Sequence, residues 1–64
     1  MISYLKGKLI AKRAPAIVVE TNGIGFEVET PMSTYLQLPA VGAEVTILTH
    51  FLVREDAQLL YGFG

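Results

Sequence analysis

Two adjacent carboxylates, Glu55 and Asp56, are the residues whose type and position first suggest chemistry. They lie in a short polar break between two strongly apolar stretches, where the tip of a hairpin is expected. An acid/base pair needs burial or a close like charge to shift the pKa of its carboxyls, and an exposed turn provides neither. From the residues alone, the plain interpretation of this pair is therefore a polar turn.

His50 is the only histidine of the chain, and cysteine is absent. It has no carboxylate or nucleophile at a recognisable catalytic spacing, and a lone histidine on a strand is usually structural or exposed. With no thiolate, and no carboxylates clustered beyond Glu55 and Asp56, the sequence offers no metal site. We therefore expect no catalytic residue, no cofactor and no metal.

Basic side chains near the N-terminus form a third group. It holds four of the five positive charges: Lys6, Lys8, Lys12 and Arg13. Lys6 and Lys8 share one face of a predicted strand, and the other two lie at its far end. The group could contact phosphates, or it could be a solvated face whose lysines protect a sheet edge. The residues alone favour the second interpretation.

The elements that must position these groups are mostly strands, because apolar residues recur with period two between turn residues. Asn22-Gly23 predicts a type I′ hairpin turn, and Pro31 ends the strand that follows it. Between residues 32 and 38 the apolar residues are instead spaced like one face of a helix, which predicts one short helix between two strands. The predicted strands cover residues 2–12, 16–21, 24–30, 44–53 and 57–63.

The resulting order β-β-β-α-β-β predicts an oligonucleotide/oligosaccharide-binding (OB) fold. This is an all-β, five-stranded Greek-key barrel with one short helix between strands 3 and 4. A small open sheet and an SH3-like barrel are the alternatives. Ser33 or Thr34 is expected to cap the helix. Leu5, Leu9 and Ala11 should share one face of the first strand. The predicted core residues are Phe26, Val28, Val45, Ile47 and Leu59.

Length and composition indicate one small domain that is more apolar than usual. The chain has 64 residues, of which 52% are hydrophobic, with a mean hydropathy of +0.46, so part of the apolar surface is expected to face another domain or subunit. The net charge is −1 and the pI is about 5.6. Domains that bind nucleic acid by themselves through its phosphates are usually basic, so these values do not favour such a domain. Neither a membrane span nor a signal peptide is evident, and we expect a cytoplasmic location.

Several stretches of the chain resemble one known family. Residues 49–63 are similar to the signature of the first domain of the RuvA family, and residues 22–28 and 31–34 resemble it in the same order. Met1-Ile2 and Lys6-Gly7 also fit, so the resemblance covers essentially the whole chain. The chain departs from the usual pattern at Ser3 and Tyr4, where glycine and a basic residue are common. That departure weakens the case for DNA contacts by the first strand.

The resemblance implies a non-catalytic module that binds four-way Holliday-junction DNA in recombination, repair and the SOS response. The hairpin between the last two strands is an acidic pin in this family, so Glu55 and Asp56 are implied to face the junction centre. Lys6, Lys8 and Arg54 are candidate contacts to the DNA backbone.

The resemblance also implies partners and further domains. The partners are other copies of the protein in a homotetramer, with an octamer as a further state, the RuvB motor ATPase and the RuvC resolvase. Helix-hairpin-helix elements that grip phosphates, and a motor-binding domain, would follow residue 64, so the chain is expected to be part of a longer, nucleoid-associated bacterial protein.

Two other functions stay open at this point. One is a free-standing OB module for single-stranded nucleic acid, which needs exposed aromatic side chains along a basic groove. Its candidate aromatics are Tyr4, Tyr35, Phe51 and Tyr61. The other is an oligomerisation domain whose apolar surface joins copies of the chain.

Overall fold

The computed structural model describes residues 1–53 and 55–64. These residues form five strands and one helix in the predicted order: β1 Tyr4–Arg13, β2 Ala16–Thr21, β3 Ile24–Glu29, α1 Met32–Leu36, β4 Glu44–Val53 and β5 Gln58–Phe63. The strands close into a single barrel in the order β1-β2-β3-β5-β4. A closed five-stranded barrel with its helix between β3 and β4 confirms the predicted OB-fold.

Strand β1 closes the barrel because its two halves pair with different neighbours. Residues 4–8 pair with β4, and residues 8–13 pair with β2, in both cases antiparallel. A β-bulge interrupts the second ladder between Leu9 and Ala11. Such a bulge bends the strand and changes the face on which the following residues lie. Strand β1 therefore links β4 to β2 and so closes the sheet into a barrel.

The bulge overturns one face assignment. Beyond it, Ala11 pairs with the half-buried Val18, and Lys12 pairs with the buried Ile17. The prediction that Ala11 shares one face with Leu5 and Leu9 is therefore wrong, since strict alternation from Leu9 fails at the inserted residue.

The core consists of inward side chains from all five strands. Its members are Leu5, Leu9, Ile17, Val19, Val28, Val45, Ile47 and Leu60. The predicted burial of Val28, Val45 and Ile47 is confirmed, and Phe26 packs half-buried against this cluster. The prediction for Leu59 is wrong, because Leu60 takes the inner position and Leu59 is only half-buried.

Space rather than hydrophobicity decides which face of β5 lies inside. Leu60 and Gly62 face the core, and a Cβ atom at Gly62 would stand 2.5 Å from Cγ1 of Val28 and 2.6 Å from Cγ2 of Ile47. No side chain fits there without a shift of its neighbours. The other apolar residues of this strand, Leu59, Tyr61 and Phe63, lie on the outside.

The turn between β2 and β3 has the predicted geometry. Asn22 and Gly23 both have positive φ, at 52° and 85°, as a type I′ turn requires. The turn fixes the register of the hairpin, in which Thr21 pairs with Ile24 and Glu20 with Gly25.

The helix is shorter than predicted and is capped differently. It covers Met32–Leu36, and its N-cap is Pro31, without a side-chain capping hydrogen bond. The hydroxyl of Thr34 instead accepts a hydrogen bond of 3.3 Å from the backbone N–H of Gly64. The proposed capping by Ser33 or Thr34 is therefore wrong. Within the described residues, no helix is long and apolar enough to cross a membrane.

The core assignment predicts the effect of one truncation. Ile47→Ala should lower the free energy of unfolding by about 2–5 kcal/mol, because it leaves a cavity under β4. Denaturant unfolding of residues 1–64 measures the loss. Leu36→Ala, at an exposed helix position, is the control and should change stability far less. An Ile47→Ala domain as stable as its parent would contradict the packing described above.

Candidate nucleic-acid interface

The hairpin of β4 and β5 projects beyond the barrel. Along the inner face of β4, burial falls from Val45 and Ile47, which are buried, through Phe51, which is half-buried, to Val53, which is 60% exposed. The ladder nevertheless continues to the pair Val53 and Gln58. The end of this hairpin is therefore held by strand pairing and not by the core.

Glu55 and Asp56 lie in the connection at the end of this hairpin, and both are exposed. Among the described residues, no three His, Cys, Asp or Glu side chains are grouped so that they could hold a metal ion. The arrangement presents two neighbouring negative charges on an apolar stem. Arg54, predicted as a backbone contact, lies outside the described residues.

The structure divides the predicted basic group. Lys6 and Lys8 are exposed on the outer face of β1, and Arg13 is exposed at its end. Lys12 is half-buried, and its ammonium nitrogen lies 5.2 Å from the ring centroid of Tyr35 in α1. This distance is typical of a cation–π contact, which ties the helix to β1. Lys12 is therefore placed as a structural residue, away from Lys6 and Lys8.

Lys6 and Lys8 have different electrostatic surroundings. Lys8 pairs across the sheet with Glu20 on one side and with Glu44 on the other. Opposite charges in directly paired positions attract, so Glu20 and Glu44 lower the positive potential around Lys8. Lys6 is opposite the uncharged Thr46. Of the two, Lys6 is the better placed to meet a phosphate.

The outer face of β2 and β3 is acidic. Glu20, Glu27 and Glu29 are exposed there, and the register places them on one surface. OB-folds commonly bind oligonucleotides on this face and on the adjoining loops. Three carboxylates would repel the phosphates of such a ligand. The alternation of β3 in the sequence predicts Glu27 and Glu29 on its solvent face, and the register set by the two-residue Asn22-Gly23 turn adds Glu20 to them.

The aromatic residues also argue against binding of a single strand by this domain alone. Tyr35 and Phe51 pack against the core, which removes two of the four candidate stacking residues. Tyr4 and Tyr61 lie on the outer face of β1, β4 and β5, and Tyr61 is paired with Glu29 of the acidic surface. The described residues therefore do not form a basic groove lined with aromatic rings.

The molecule is thus an OB barrel whose distinctive charged feature is an acidic hairpin. A family model described as the RuvA N terminal domain matches residues 1–62, and the chain belongs to this family.

Curated relatives carry the same family name. The Holliday junction branch migration complex subunit RuvA of Delftia acidovorans is 59% identical over 64 residues, which are 100% of this chain and 34% of that protein. The subunit of the same name from Chromobacterium violaceum is 59% identical, with 100% of this chain and 32% of that protein covered. The one from Vibrio parahaemolyticus is 57% identical, with 100% and 31% covered.

The chain thus spans about a third of the length of the curated relatives it matches. These relatives are named as a subunit of a Holliday junction branch migration complex.

The charge distribution predicts weak DNA binding by residues 1–64 alone. Few uncompensated cations are available to release counterions from duplex DNA, so we expect a Kd above about 10 µM at physiological salt. Fluorescence anisotropy with a labelled duplex measures it. A Kd below about 1 µM would contradict the placement of the charges described here.

Proposed function

We propose that this chain is the first domain of a RuvA protein and acts as a non-catalytic module that binds Holliday junctions. It contributes an acidic pin, formed by Glu55 and Asp56, to the centre of a four-way junction. In the whole protein it supports branch migration driven by the RuvB motor, and it forms part of a homotetramer that can pair into an octamer. RuvC resolvase acts on the same junction. Family membership and the names of the relatives support this proposal.

One observation carries the proposal, namely that two exposed carboxylates stand at the end of a hairpin that has left the barrel. In a fourfold assembly, each copy would bring two such carboxylates to the axis, which gives eight in all. Negative charge at the axis repels phosphates, and the repulsion acts over about 10 Å at 0.1 M salt.

This repulsion would discriminate between DNA shapes. An intact duplex that crossed the axis would bring phosphates from both strands against the carboxylates. At a four-way junction the four arms diverge from the centre, so the phosphates can stay away from the axis. The pin would therefore disfavour linear DNA and would help to keep strands apart where they exchange partners.

Attraction to the DNA must come from other groups. On this domain we assign the backbone contact to Lys6, with Arg54 as a further candidate and Lys8 in a lesser role, because Glu20 and Glu44 neighbour it. We assign most of the contacts with DNA phosphates to helix-hairpin-helix elements in the remaining two thirds of the protein. This division of roles agrees with a net charge of −1 for the domain.

The pin is tested in the full-length protein by the double substitution Glu55→Gln and Asp56→Asn, which keeps the shape of the tip and removes its charge. Junction affinity should hold or rise, and duplex affinity should rise more, because the axis no longer repels phosphates. Discrimination between junction and duplex should therefore fall, and the rate of RuvB-driven migration should change. Gel-shift titrations and a branch-migration assay measure these effects.

The matched control removes two charges elsewhere, with Glu27→Gln and Glu29→Gln on the outer face of β3. It should leave discrimination close to that of the parent. Raising the salt from 0.1 M to 1 M shortens the screening length to about 3 Å and should reproduce part of the effect of the pin substitutions. A marked loss of junction binding by the pin variant, with its fold intact, would refute repulsion as the mechanism.

The two lysines provide a separate prediction. In the full-length protein, Lys6→Gln should weaken junction binding and reduce the dependence of log Kd on log salt, because a phosphate contact is lost. Lys8→Gln should have a smaller effect on both, because the neighbouring Glu20 and Glu44 lower the positive potential that a phosphate meets at Lys8. Titrations at several salt concentrations measure the slopes. Equal losses for the two variants would contradict the assignment to Lys6.

A further inference from the structure

Strand β3 is fully paired on one side only. All six of its residues pair with β2. On the other side, within the part of the chain that the structure describes, its ladder with β5 is the single pair of Glu29 and Tyr61. Most of β3 is therefore an edge strand, although the barrel is closed.

The hairpin turn determines which backbone groups of β3 are left without a strand partner. In an antiparallel ladder, alternate residues direct their N–H and C=O groups toward the partner strand. Ile24 flanks the two-residue turn and pairs with Thr21, so Ile24 and every second residue after it face β2. The residues between them face away from β2. We call the backbone N–H and C=O groups of Gly25 and Glu27, which precede the pair with β5, the open edge of β3.

A cleft separates the open edge of β3 from β5. Strand β3 enters this region from the Asn22-Gly23 turn and β5 from the projecting hairpin, so the two strands meet only at Glu29 and Tyr61. An unpaired strand edge is a template on which a further strand can form. The cleft has a volume of about 150 Å³ and is lined by Glu27, Glu29, Gln58, Leu59 and Leu60.

The charge beside the open edge of β3 selects what can bind there. Glu27 and Glu29 are exposed, and their partners on β2 are the uncharged Val18 and Ala16. Directly opposite residues of paired strands lie on the same face, so an added strand would bring its own side chains beside these carboxylates. Because alternate residues of a strand share a face, basic residues at every second position would fit best.

We propose that the open edge of β3 binds an extended, basic polypeptide segment of a partner protein, which adds to the barrel as a further strand. Gly25 and Glu27 exchange backbone hydrogen bonds with the segment, and its lysine or arginine side chains meet the carboxylates of Glu27 and Glu29. This surface is separate from the pin, and the inference does not depend on junction binding.

The same charges argue against two other occupants of the open edge of β3. If the β3 edges of two copies paired with each other, Glu27 of both copies would lie on one small surface, and like charges in paired positions destabilise a sheet. The phosphates of a nucleic acid would be repelled by the same carboxylates. A basic polypeptide gains from both the free backbone groups and the charge.

Binding of a model peptide to the full-length protein tests the proposal. The probe is the labelled peptide Thr-Lys-Val-Lys-Val-Lys-Thr. Its control has the same sequence with methylated backbone nitrogens, which keeps the charge and removes the backbone donors. In anisotropy titrations at about 0.1 M salt we expect saturable binding of the probe and at least about tenfold weaker binding of the control.

Amide hydrogen exchange and two variants locate the site. Saturating probe should slow exchange of the Gly25 and Glu27 amides by about tenfold or more. Glu27→Gln should weaken binding by about threefold, because a directly opposed charge is lost. The matched control Glu20→Gln removes a carboxylate from the same surface but on the interior strand β2, and it should weaken binding less.

Other outcomes overturn the proposal. No saturable binding, or equal binding of the methylated control, means that no strand is added at this edge. Amides of Gly25 and Glu27 that are protected before the probe is added mean that a second copy or another part of the protein covers the edge. Protection by a thymidine oligonucleotide means that nucleic acid occupies it. Binding that is lost in the Glu55→Gln and Asp56→Asn variant means that the pin attracts the probe by charge alone.

Discussion

The pairing of β1 with two different strands is the constraint on which the rest of this small domain depends. Its first half is joined to β4 and its second half to β2, so the barrel closes only because the strand bends at the bulge between Leu9 and Ala11. Lys6 and Lys8 precede the bulge and lie outside by alternation with Leu5 and Leu9, whereas Lys12 lies beyond it, close to Tyr35 in the helix. The bulge that closes the barrel therefore also separates Lys12 from the two exposed lysines.

A net charge near zero conceals a clear separation of charges. Carboxylates occupy the outer face of β2 and β3, and two more stand at the end of the β4–β5 hairpin. Lys8 is set between Glu20 and Glu44, which leaves Lys6 as the more effective cation on its face. The barrel thus keeps the OB architecture while its usual ligand face repels phosphates. The proposed site lies instead in the connection between β4 and β5, at the end of a paired hairpin.

The sequence predicts much of the fold because the turn residues are explicit. Asn22-Gly23 defined one hairpin, and the bounds of β4 were predicted to the residue from its alternation. The inner face of β5 could not be predicted, since Leu59, Tyr61 and Phe63 form its more apolar set and lie outside. Nor could the bulge, which no special residue marks. The surroundings of Lys8 depend on contacts with residues 20 and 44, and one sequence does not contain that register. The acidic tip was visible as a motif, but its role came from family resemblance.

The unbroken ladder of the β4–β5 hairpin limits how this protein can change in length. Loss or gain of one residue within either strand would exchange the two faces of everything beyond it. On β5 that would direct Tyr61 or Phe63 into the place of Gly62, where Val28 and Ile47 leave no room for even a methyl group. Glu55 and Asp56 lie outside this ladder, whose last pair is Val53 and Gln58. A change of length that leaves the barrel undisturbed is therefore expected at the acidic tip rather than within the two strands.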